Sequence, residues 1–155
     1  MRIAVFPGSF DPITKGHEAV LRAALPLFDK IYIAIGVNAD KKGMFPVEQR
    51  KAWIRTCFAG ENNVEVVDYD GLTIDLCKKL QAEFIIRGIR NPLDFQYERD
   101  IAQANKQLCP TVETVFFVTD GACAHISSSI VRDVYRHAGD CSAFLPKNVV
   151  LSKNK

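Results

Sequence analysis

The first turn of the chain reads Pro7-Gly8-Ser9-Phe10-Asp11-Pro12-Ile13-Thr14-Lys15-Gly16-His17 and joins an apolar strand directly to an amphipathic helix. A helix that begins just past the carboxyl end of a strand points unpaired backbone N–H groups and its positive dipole end into the crevice there. Gly8 and Gly16 carry no Cβ and let a ligand approach the backbone closely. Hydroxyl or nitrogen groups that bind phosphate come from Ser9, Thr14, Lys15 and His17. The turn therefore predicts a phosphate-binding site.

Spacing excludes two familiar phosphate loops and favours a third signature. A Walker A loop requires Gly-Lys followed by Ser or Thr, but Lys15 is followed here by Gly16 and His17. The dinucleotide fingerprint Gly-x-Gly-x-x-Gly is also missing. Thr14-Lys15-Gly16-His17 instead resembles the Thr-x-Gly-His variant of the nucleotidylyltransferase signature, which lies between a first strand and a first helix. A lone histidine at a helix start is often a cap, but this setting favours a functional His17.

Runs that are nearly continuous in Val, Ile and Phe predict strands buried on both faces, at Ile3 to Phe6, Ile31 to Val37, Val64 to Tyr69, Phe84 to Arg87 and Val115 to Thr119. Helical patterns lie between these runs, and Pro46 and Pro92 suit first helical positions. The alternation predicts the α/β class, with a Rossmann-like, doubly wound five-stranded parallel sheet. We expect a single domain over residues 1–155, with a tail from about residue 147 that frays in part.

Four segments with phosphate-binding chemistry follow predicted strands and should meet at the carboxyl edge of the sheet. They are the first turn, Lys41-Lys42, Arg87-Gly88-Ile89-Arg90 and Ile126-Ser127-Ser128-Ser129. Guanidinium groups bind phosphate oxygens through paired hydrogen bonds, and small hydroxyl residues at a helix start add further donors. Each segment also has a plain structural interpretation, with the cations as solvated surface groups and a serine as an N-cap. Their meeting at one edge favours binding over these alternatives.

The composition of the 155 residues, 48% hydrophobic and 25% charged, is that of a globular chain with one full core. The net charge of +2 is too small to predict a nucleic-acid surface. Five widely spaced cysteines without a Cys-x-x-Cys pair argue against disulfides and against a zinc site. No signal peptide precedes the first strand, and no apolar run approaches the ~20 residues that span a bilayer, so we expect a cytoplasmic protein without membrane contact.

Several motifs together resemble bacterial phosphopantetheine adenylyltransferases over nearly the whole chain. They are the first turn, Arg87-Gly88-Ile89-Arg90, Asp94-Phe95-x-Tyr97-Glu98 and Ile126-Ser127-Ser128-Ser129, with a Phe144-Leu145-Pro146 ending. Spacing alone would make Tyr97 and Glu98 surface residues, whereas the resemblance gives Glu98 a function. The family implies transfer of AMP from ATP to 4′-phosphopantetheine by direct in-line attack, giving dephospho-coenzyme A and pyrophosphate. The alternatives are transfer to another phosphate acceptor, such as nicotinamide mononucleotide, or a nucleotide-binding regulatory module without catalysis.

The resemblance also implies roles for individual residues of this sequence. Catalytic roles fall to His17, Lys41 and Arg90, and contacts to phosphopantetheine fall to Ser9, Lys41, Thr73 and Arg87. ATP contacts would come from Ser9, Phe10, His17, Gly88, Ile89, Arg90, Glu98, Cys123, Ala124, His125, Ile126, Ser127, Ser128 and Ser129. Magnesium would be carried with ATP without a protein ligand set, and the family forms homohexamers. Lys15 and the loop at 121–125, which lacks the aromatic residue of many relatives, depart from the family pattern.

Overall fold

The computed structural model describes residues 1–152, in which strands and helices alternate along the chain. The strands are Ile3–Gly8 (β1), Lys30–Gly36 (β2), Val64–Tyr69 (β3), Phe84–Ile89 (β4) and Glu113–Val118 (β5). The helices are Lys15–Ala24 (α1), Val47–Cys57 (α2), Thr73–Leu80 (α3), Pro92–Leu108 (α4) and Ser128–Arg136 (α5). Each apolar run of the sequence therefore forms the strand that it predicts, within a few residues at either end.

The central strands β1 and β2 and the first half of β4 are buried on both faces because helices cover the sheet from both sides. The edge strands β3 and β5, which the sequence also predicts to be buried, are mostly half-buried or exposed, because each has a neighbouring strand on one side only. Successive side chains of a strand point to opposite faces. In β1, Ala4 and Phe6 accordingly belong to a core with residues of α1, α2 and α5, whereas Val5 belongs to a second core with α3 and the segment after α4. The predicted fold class, a doubly wound α/β sheet of five parallel strands, is confirmed.

The strand order β3-β2-β1-β4-β5 reverses its direction of growth between β1 and β4. Open α/β sheets bind ligands in the crevice at such a point, outside the carboxyl ends of the strands. Pairing of β1 with β2 continues as far as Gly8, but its pairing with β4 ends at Val5 and Ile85. Beyond Val5 the Arg87 guanidinium takes the place of a backbone partner, because its Nη1 donates to the Pro7 carbonyl oxygen at 2.7 Å. The crevice therefore opens between the ends of β1 and β4.

The helix starts follow the predicted capping chemistry with one small difference. Pro92 is the first residue of α4 and Ser127 is the N-cap of α5, where its hydroxyl accepts from the Ile130 N–H. Pro46 is the N-cap of α2 rather than its first residue, because its ψ of 147° is extended. The difference of one residue leaves the direction of the helix unchanged.

The tail after α5 packs against the sheet for part of its length. Leu145 and Val149 are buried in the core that contains α1, α2 and α5, and Leu151 packs against it. The fraying expected from about residue 147 stays a prediction, and its last positions, 153–155, lie outside the described residues.

Candidate active site

The start of α1 is closed by a reciprocal pair of hydrogen bonds between Thr14 and His17. The Thr14 hydroxyl accepts from the His17 N–H at 3.4 Å, and the Thr14 N–H donates to His17 Nδ1 at 3.0 Å. Because Nδ1 accepts, the proton of the neutral ring is assigned to Nε2. Burial, followed by the positive charges of Arg87 and Arg90, lowers the pKa of His17 from 6.5 to about 4. At neutral pH His17 therefore offers an uncharged N–H donor through Nε2.

The Phe10 ring packs against the ring of this histidine. Its ring centroid lies 4.9 Å from that of His17 and 5.3 Å from that of Phe6, and the residue is 1% exposed. Its φ of 45° lies in the left-handed region, which is uncommon for a residue with a side chain. A Cβ on Gly8 would lie 3.0 Å from the Phe10 ring, so a side chain at that position would displace the ring by a few tenths of an ångström. The turn is therefore built to hold the His17 ring in place.

A cavity of about 280 Å³ lies at the carboxyl ends of β1, β4 and β5. Many of the predicted site residues line it, namely Ser9, His17, Arg87, Gly88, Arg90, Glu98, Ile126, Ser127 and Ser128. The N-terminus of α1 contributes Thr14 and Gly16 to the same wall. Three of the four predicted phosphate-binding segments thus meet at one edge of the sheet.

Both arginines of the cavity are paired with carboxylates of α4. Arg87 makes two parallel hydrogen bonds to Glu98, from Nε to Oε2 at 2.8 Å and from Nη2 to Oε1 at 2.5 Å. Arg90 Nε donates to Asp94 Oδ2 at 3.0 Å, and Arg90 Nη1 donates to the Ile126 carbonyl oxygen at 3.4 Å. Partial burial opposes ionisation of Asp94, but the hydrogen bonds and charge of Arg90 hold the pKa of that carboxyl below its usual value. The guanidinium planes are therefore oriented before any ligand binds.

The burial of Glu98 is the clearest correction to the expectation from spacing. Tyr97 is 68% exposed, as a surface residue should be, whereas Glu98 is 8% exposed and paired with Arg87. Asp94 forms an ion pair with Arg90, which its place in the sequence motif does not predict. It lies four residues after Arg90, a spacing at which helix-start residues meet.

A second cavity of about 200 Å³ lies on the other side of the Arg87–Glu98 pair. Arg87, Glu98, Pro7 and Gly8 line both cavities, so the ion pair forms the partition between them. Thr73 lies in this second cavity, where its hydroxyl is hydrogen-bonded to the Tyr69 hydroxyl at 2.8 Å. The α4 side of this cavity carries Glu98, Ile101, Ala102 and Asn105. Their spacing of i, i+3, i+4 and i+7 marks one helix face and is a signal that the sequence already contained.

The remaining predicted site residues do not line the first cavity. Lys41 is exposed on the loop between β2 and α2, where its N–H donates to the Asn38 carbonyl oxygen. The Phe10 side chain lies beneath His17, which leaves its backbone as the candidate contact. The lining also lacks Ile89, Cys123, Ala124, His125 and Ser129. The His125 ring lies edge-on to Phe144, with 6.5 Å between the ring centroids.

No group of three or more His, Cys, Asp or Glu side chains within residues 1–152 is arranged to hold a metal ion. The five cysteines are free thiols, and burial raises the pKa of Cys57 to about 12 and that of Cys77 to about 11. These two thiols are therefore protonated and poorly nucleophilic at neutral pH. No helix within the same residues is long and apolar enough to cross a membrane.

Comparison with known proteins agrees with this geometry. A family model described as cytidylyltransferase-like matches residues 5–134. A phosphopantetheine adenylyltransferase of Flavobacterium psychrophilum is 55% identical over 149 residues, which are 96% of this chain and 98% of the relative. The chain belongs to the phosphopantetheine adenylyltransferase family. The enzyme of that name from Flavobacterium johnsoniae is 54% identical over 99% of this chain and 100% of its own length, and that from Clostridium perfringens is 46% identical over 97% and 92%.

Solved structures of more distant proteins share the fold of the family. A putative nicotinate-nucleotide adenylyltransferase from Vibrio parahaemolyticus superposes with a TM-score of 0.67 at 20% identity, covering 94% of each chain. A bifunctional NMN adenylyltransferase/ADP ribose pyrophosphatase from Francisella tularensis gives 0.72 at 19% identity, over 96% of this chain and 46% of that one. At these identities the likeness extends to the fold, which is the Rossmann-like fold predicted from the sequence.

Proposed function

We propose that this protein transfers the adenylyl group of ATP to 4′-phosphopantetheine, giving dephospho-coenzyme A and pyrophosphate. The observation that carries the proposal is the pair of cavities on either side of the Arg87–Glu98 partition, next to the neutral His17 donor. One cavity suits a nucleotide triphosphate, and the other suits the arm of an acceptor whose phosphate reaches the partition. Membership of the family supports 4′-phosphopantetheine as that acceptor.

In the proposed reaction an oxygen of the acceptor phosphate attacks the α-phosphorus of ATP in line with the leaving group. The new oxygen–phosphorus bond forms as the bond from the α-phosphorus to the bridging oxygen breaks, and pyrophosphate leaves with that electron pair. The acceptor phosphate is already an anion, so no protein base or nucleophile is required. Catalysis then comes from alignment of the two phosphates and from stabilisation of the charge that develops on the α-phosphate oxygens.

His17 is the proposed donor to the α-phosphate. The Nε2–H of His17 would donate to an α-phosphate oxygen. The lowered pKa leaves Nδ1 able to accept from the Thr14 N–H across the physiological pH range, which keeps the ring oriented with its proton on Nε2. Ser9 and Lys41 would hold the acceptor phosphate with help from Arg90. Arg87 would lie on the phosphopantetheine side, and Thr73 would lie beside the pantetheine arm. Both roles of the turn depend on its rigidity, since Ser9 and His17 would bind different reacting groups.

The other proposed ATP contacts surround the first cavity. The end of β4 contributes Gly88 and Ile89, and α4 contributes Glu98. The backbone of Phe10 lies in the first turn. The approach to α5 would contribute Cys123, Ala124, His125, Ile126, Ser127, Ser128 and Ser129. A helix N-terminus with free N–H groups and hydroxyls suits the triphosphate.

Magnesium is proposed to enter as part of the MgATP substrate. The carboxylates that line the cavity, Asp94 and Glu98, are already hydrogen-bonded to Arg90 and Arg87. Neither is therefore placed to coordinate a cation, and the surrounding groups are donors that suit phosphate rather than metal. The triphosphate oxygens would supply the ligands instead.

We also propose a homohexamer in the cytoplasm. Apolar side chains on α4 and at the end of β5 are exposed in the single chain, at Leu93, Tyr97, Ile101, Leu108 and Val118. Such a surface supports association with further copies. The compartment is inferred separately, because the free thiols support a reducing environment. Sedimentation equilibrium measures the assembly, and a monomer at micromolar concentration would contradict the hexamer.

A panel of acceptors tests the proposed reaction. The protein is incubated with MgATP and 4′-phosphopantetheine, pantetheine without its phosphate, or nicotinamide mononucleotide, and pyrophosphate release is followed. Of the three acceptors, we expect only 4′-phosphopantetheine to give release. Pantetheine lacks the phosphate that acts as the nucleophile, and nicotinamide mononucleotide lacks the pantetheine arm that the second cavity would hold. Release with another phosphate acceptor would favour the alternative transferase, and calorimetric ATP binding without release on any acceptor would favour a regulatory module.

A further inference from the structure

Asp11 lies in the phosphate turn, but its carboxylate is used by another segment of the chain. It is 6% exposed and does not line the first cavity. Oδ2 accepts from the Met44 N–H at 2.8 Å and Oδ1 accepts from the Phe45 N–H at 2.9 Å. Both donors belong to the end of the loop that connects β2 to α2, the loop that carries Lys41. The turn therefore holds this loop through a buried charge.

Arg50 of α2 completes the connection from the opposite side. It is 6% exposed, its Nε donates to the Phe45 carbonyl oxygen at 2.9 Å, and its Nη1 donates to the Ser9 carbonyl oxygen at 2.8 Å. Its Nε lies 3.9 Å from Asp11 Oδ1. One buried ion pair thus binds the backbone of Ser9 and the backbone of the Lys41 loop at the same time.

Gly43 shows how closely the loop lies on this pair. A Cβ at that position would lie 2.9 Å from Arg50 Nη2 and 3.2 Å from Asp11 Oδ2. The Arg50 guanidinium has little freedom to retreat, because Nε and Nη1 are hydrogen-bonded and the residue is buried. Lys41 is two residues earlier in the chain and is exposed.

Stability alone is a poor explanation for this arrangement. Removing the two charges of an ion pair from water costs free energy that offsets much of their mutual attraction. Apolar residues of similar size in the same place often stabilise a protein equally well. The pair is geometrically specific, however, because it links the two segments that are assigned to the acceptor phosphate. A displacement of about 1 Å in such a segment lowers the rate of an aligned reaction by as much as about 100-fold.

We propose that Asp11 and Arg50 are positioning residues, which hold the Lys41 loop against Ser9 and so set where the acceptor phosphate lies relative to the α-phosphate. The inference rests on the proposed function, because it takes Ser9 and Lys41 as the groups that bind the acceptor phosphate. Neither Asp11 nor Arg50 touches the substrates in this account. Their effect reaches the reaction through the loop.

A double-mutant cycle with Asp11→Asn and Lys41→Ala tests the coupling. Asn has nearly the size of Asp but presents one acceptor oxygen, so one of the two loop N–H bonds is lost. We expect Asp11→Asn to lower kcat/KM for 4′-phosphopantetheine about 10-fold, with KM for ATP unchanged. In the Lys41→Ala background the same change should have almost no further effect, because the group being positioned is absent. If the double variant instead loses kcat/KM by the product of the two single losses, the two residues act independently, and the proposal is overturned.

A second pair of variants keeps the test decisive if Asp11→Asn does not fold. Gly43→Ala presses on the ion pair from the exposed loop without removing a buried charge, and it should raise KM for 4′-phosphopantetheine. Gly60→Ala is the matched control, because a Cβ there has no atom within 4 Å. Gly60→Ala should behave as the unmodified protein, and equal kinetics for the two alanine variants would overturn the proposal.

The outcomes separate the two levels of inference. An unmodified protein that releases no pyrophosphate with 4′-phosphopantetheine overturns the proposed function and the positioning role with it. An active protein whose Lys41→Ala variant is equally active overturns the role of the loop. An active protein that needs Lys41, but is indifferent to Asp11→Asn and Gly43→Ala, overturns the positioning role and leaves the function standing.

Discussion

The turn at residues 9–17 and the loop at residues 37–45 leave neighbouring strands at the same edge of the sheet, yet they are built differently. In the turn, Phe10 and Ile13 are buried, and the Thr14–His17 pair closes the helix start. In the loop, residues 37–43 are all exposed. The loop is joined to the turn through Asp11 and Arg50. The proposed donor to the α-phosphate is thus fixed in advance, whereas the proposed cation for the acceptor phosphate lies on a tethered and accessible segment.

This difference fits a reaction that proceeds by alignment. The developing charge on the α-phosphate is stabilised best by donors that need no reorganisation. The acceptor must enter, react and leave, so an exposed loop suits its phosphate. The two regions therefore predict different kinetic consequences when they are altered.

The largest effect is expected from His17→Ala in the turn. Loss of one preorganised donor to the transition state should lower kcat by about 100- to 1,000-fold, while KM for either substrate changes little. Lys41→Ala in the loop should act chiefly on KM for 4′-phosphopantetheine. Steady-state kinetics with each substrate varied in turn checks both, and thermal unfolding confirms that the variants are folded. Full turnover by a folded His17→Ala variant would contradict the role given to the turn.

Glu98→Gln tests how firmly the wall beside the turn is built. The change leaves the Arg87 cation without its charged partner in a site where the Glu98 side chain is 10% exposed. We expect the free energy of unfolding to fall by about 2 kcal/mol, less than for a fully buried pair because Arg87 is partly solvated. Glu48→Gln is the matched control, since the Glu48 side chain is 80% exposed and should change stability by less than about 0.5 kcal/mol. Urea denaturation measures both, and equal stability of the two variants would show the partition to be loosely held.

The turn is also tested by the pH dependence of stability. His17 has a pKa of about 4 in the folded chain, against an ordinary value of 6.5. As the pH falls, the histidine of the unfolded chain is therefore protonated before that of the folded chain. The stability linked to His17 is therefore lost as pH falls from about 6.5 towards 4. We expect His17→Asn to flatten the fall in unfolding free energy over this range, as measured by denaturation at several pH values. An unchanged slope would mean that the His17 pKa is not lowered by the fold.

The sequence was sufficient to predict the architecture because the strands are short apolar runs separated by helical patterns with recognisable caps. It was also sufficient to bring Ser9, His17, Arg90 and Ser127 to one edge of the sheet. It could not predict that Glu98 is buried, since its burial depends on a partner, Arg87, on a different element. The sequence of α4 is rich in charged residues whether that helix face is solvated or lies against a guanidinium group.

Asp11 illustrates a second limit of reasoning from the sequence. Within the turn it is one of several polar residues, and its spacing does not distinguish a phosphate contact from a structural acceptor. Its partners at 44, 45 and 50 are more than thirty residues away and are brought near only by the packing of α2 on the sheet. Lys41 shows the same limit in reverse, because a position after β2 places it near the edge of the sheet but not within the cavity.

The central claim is that one phosphate attacks the other directly on a preorganised turn. The most direct measurement uses ATP whose α-phosphorus is a chiral phosphorothioate, with 4′-phosphopantetheine as the acceptor and the configuration of the product determined. A single in-line displacement inverts the configuration at phosphorus, and inversion is the result that we predict. Retention, or isolation of an adenylylated protein, would require a protein nucleophile and would contradict the account.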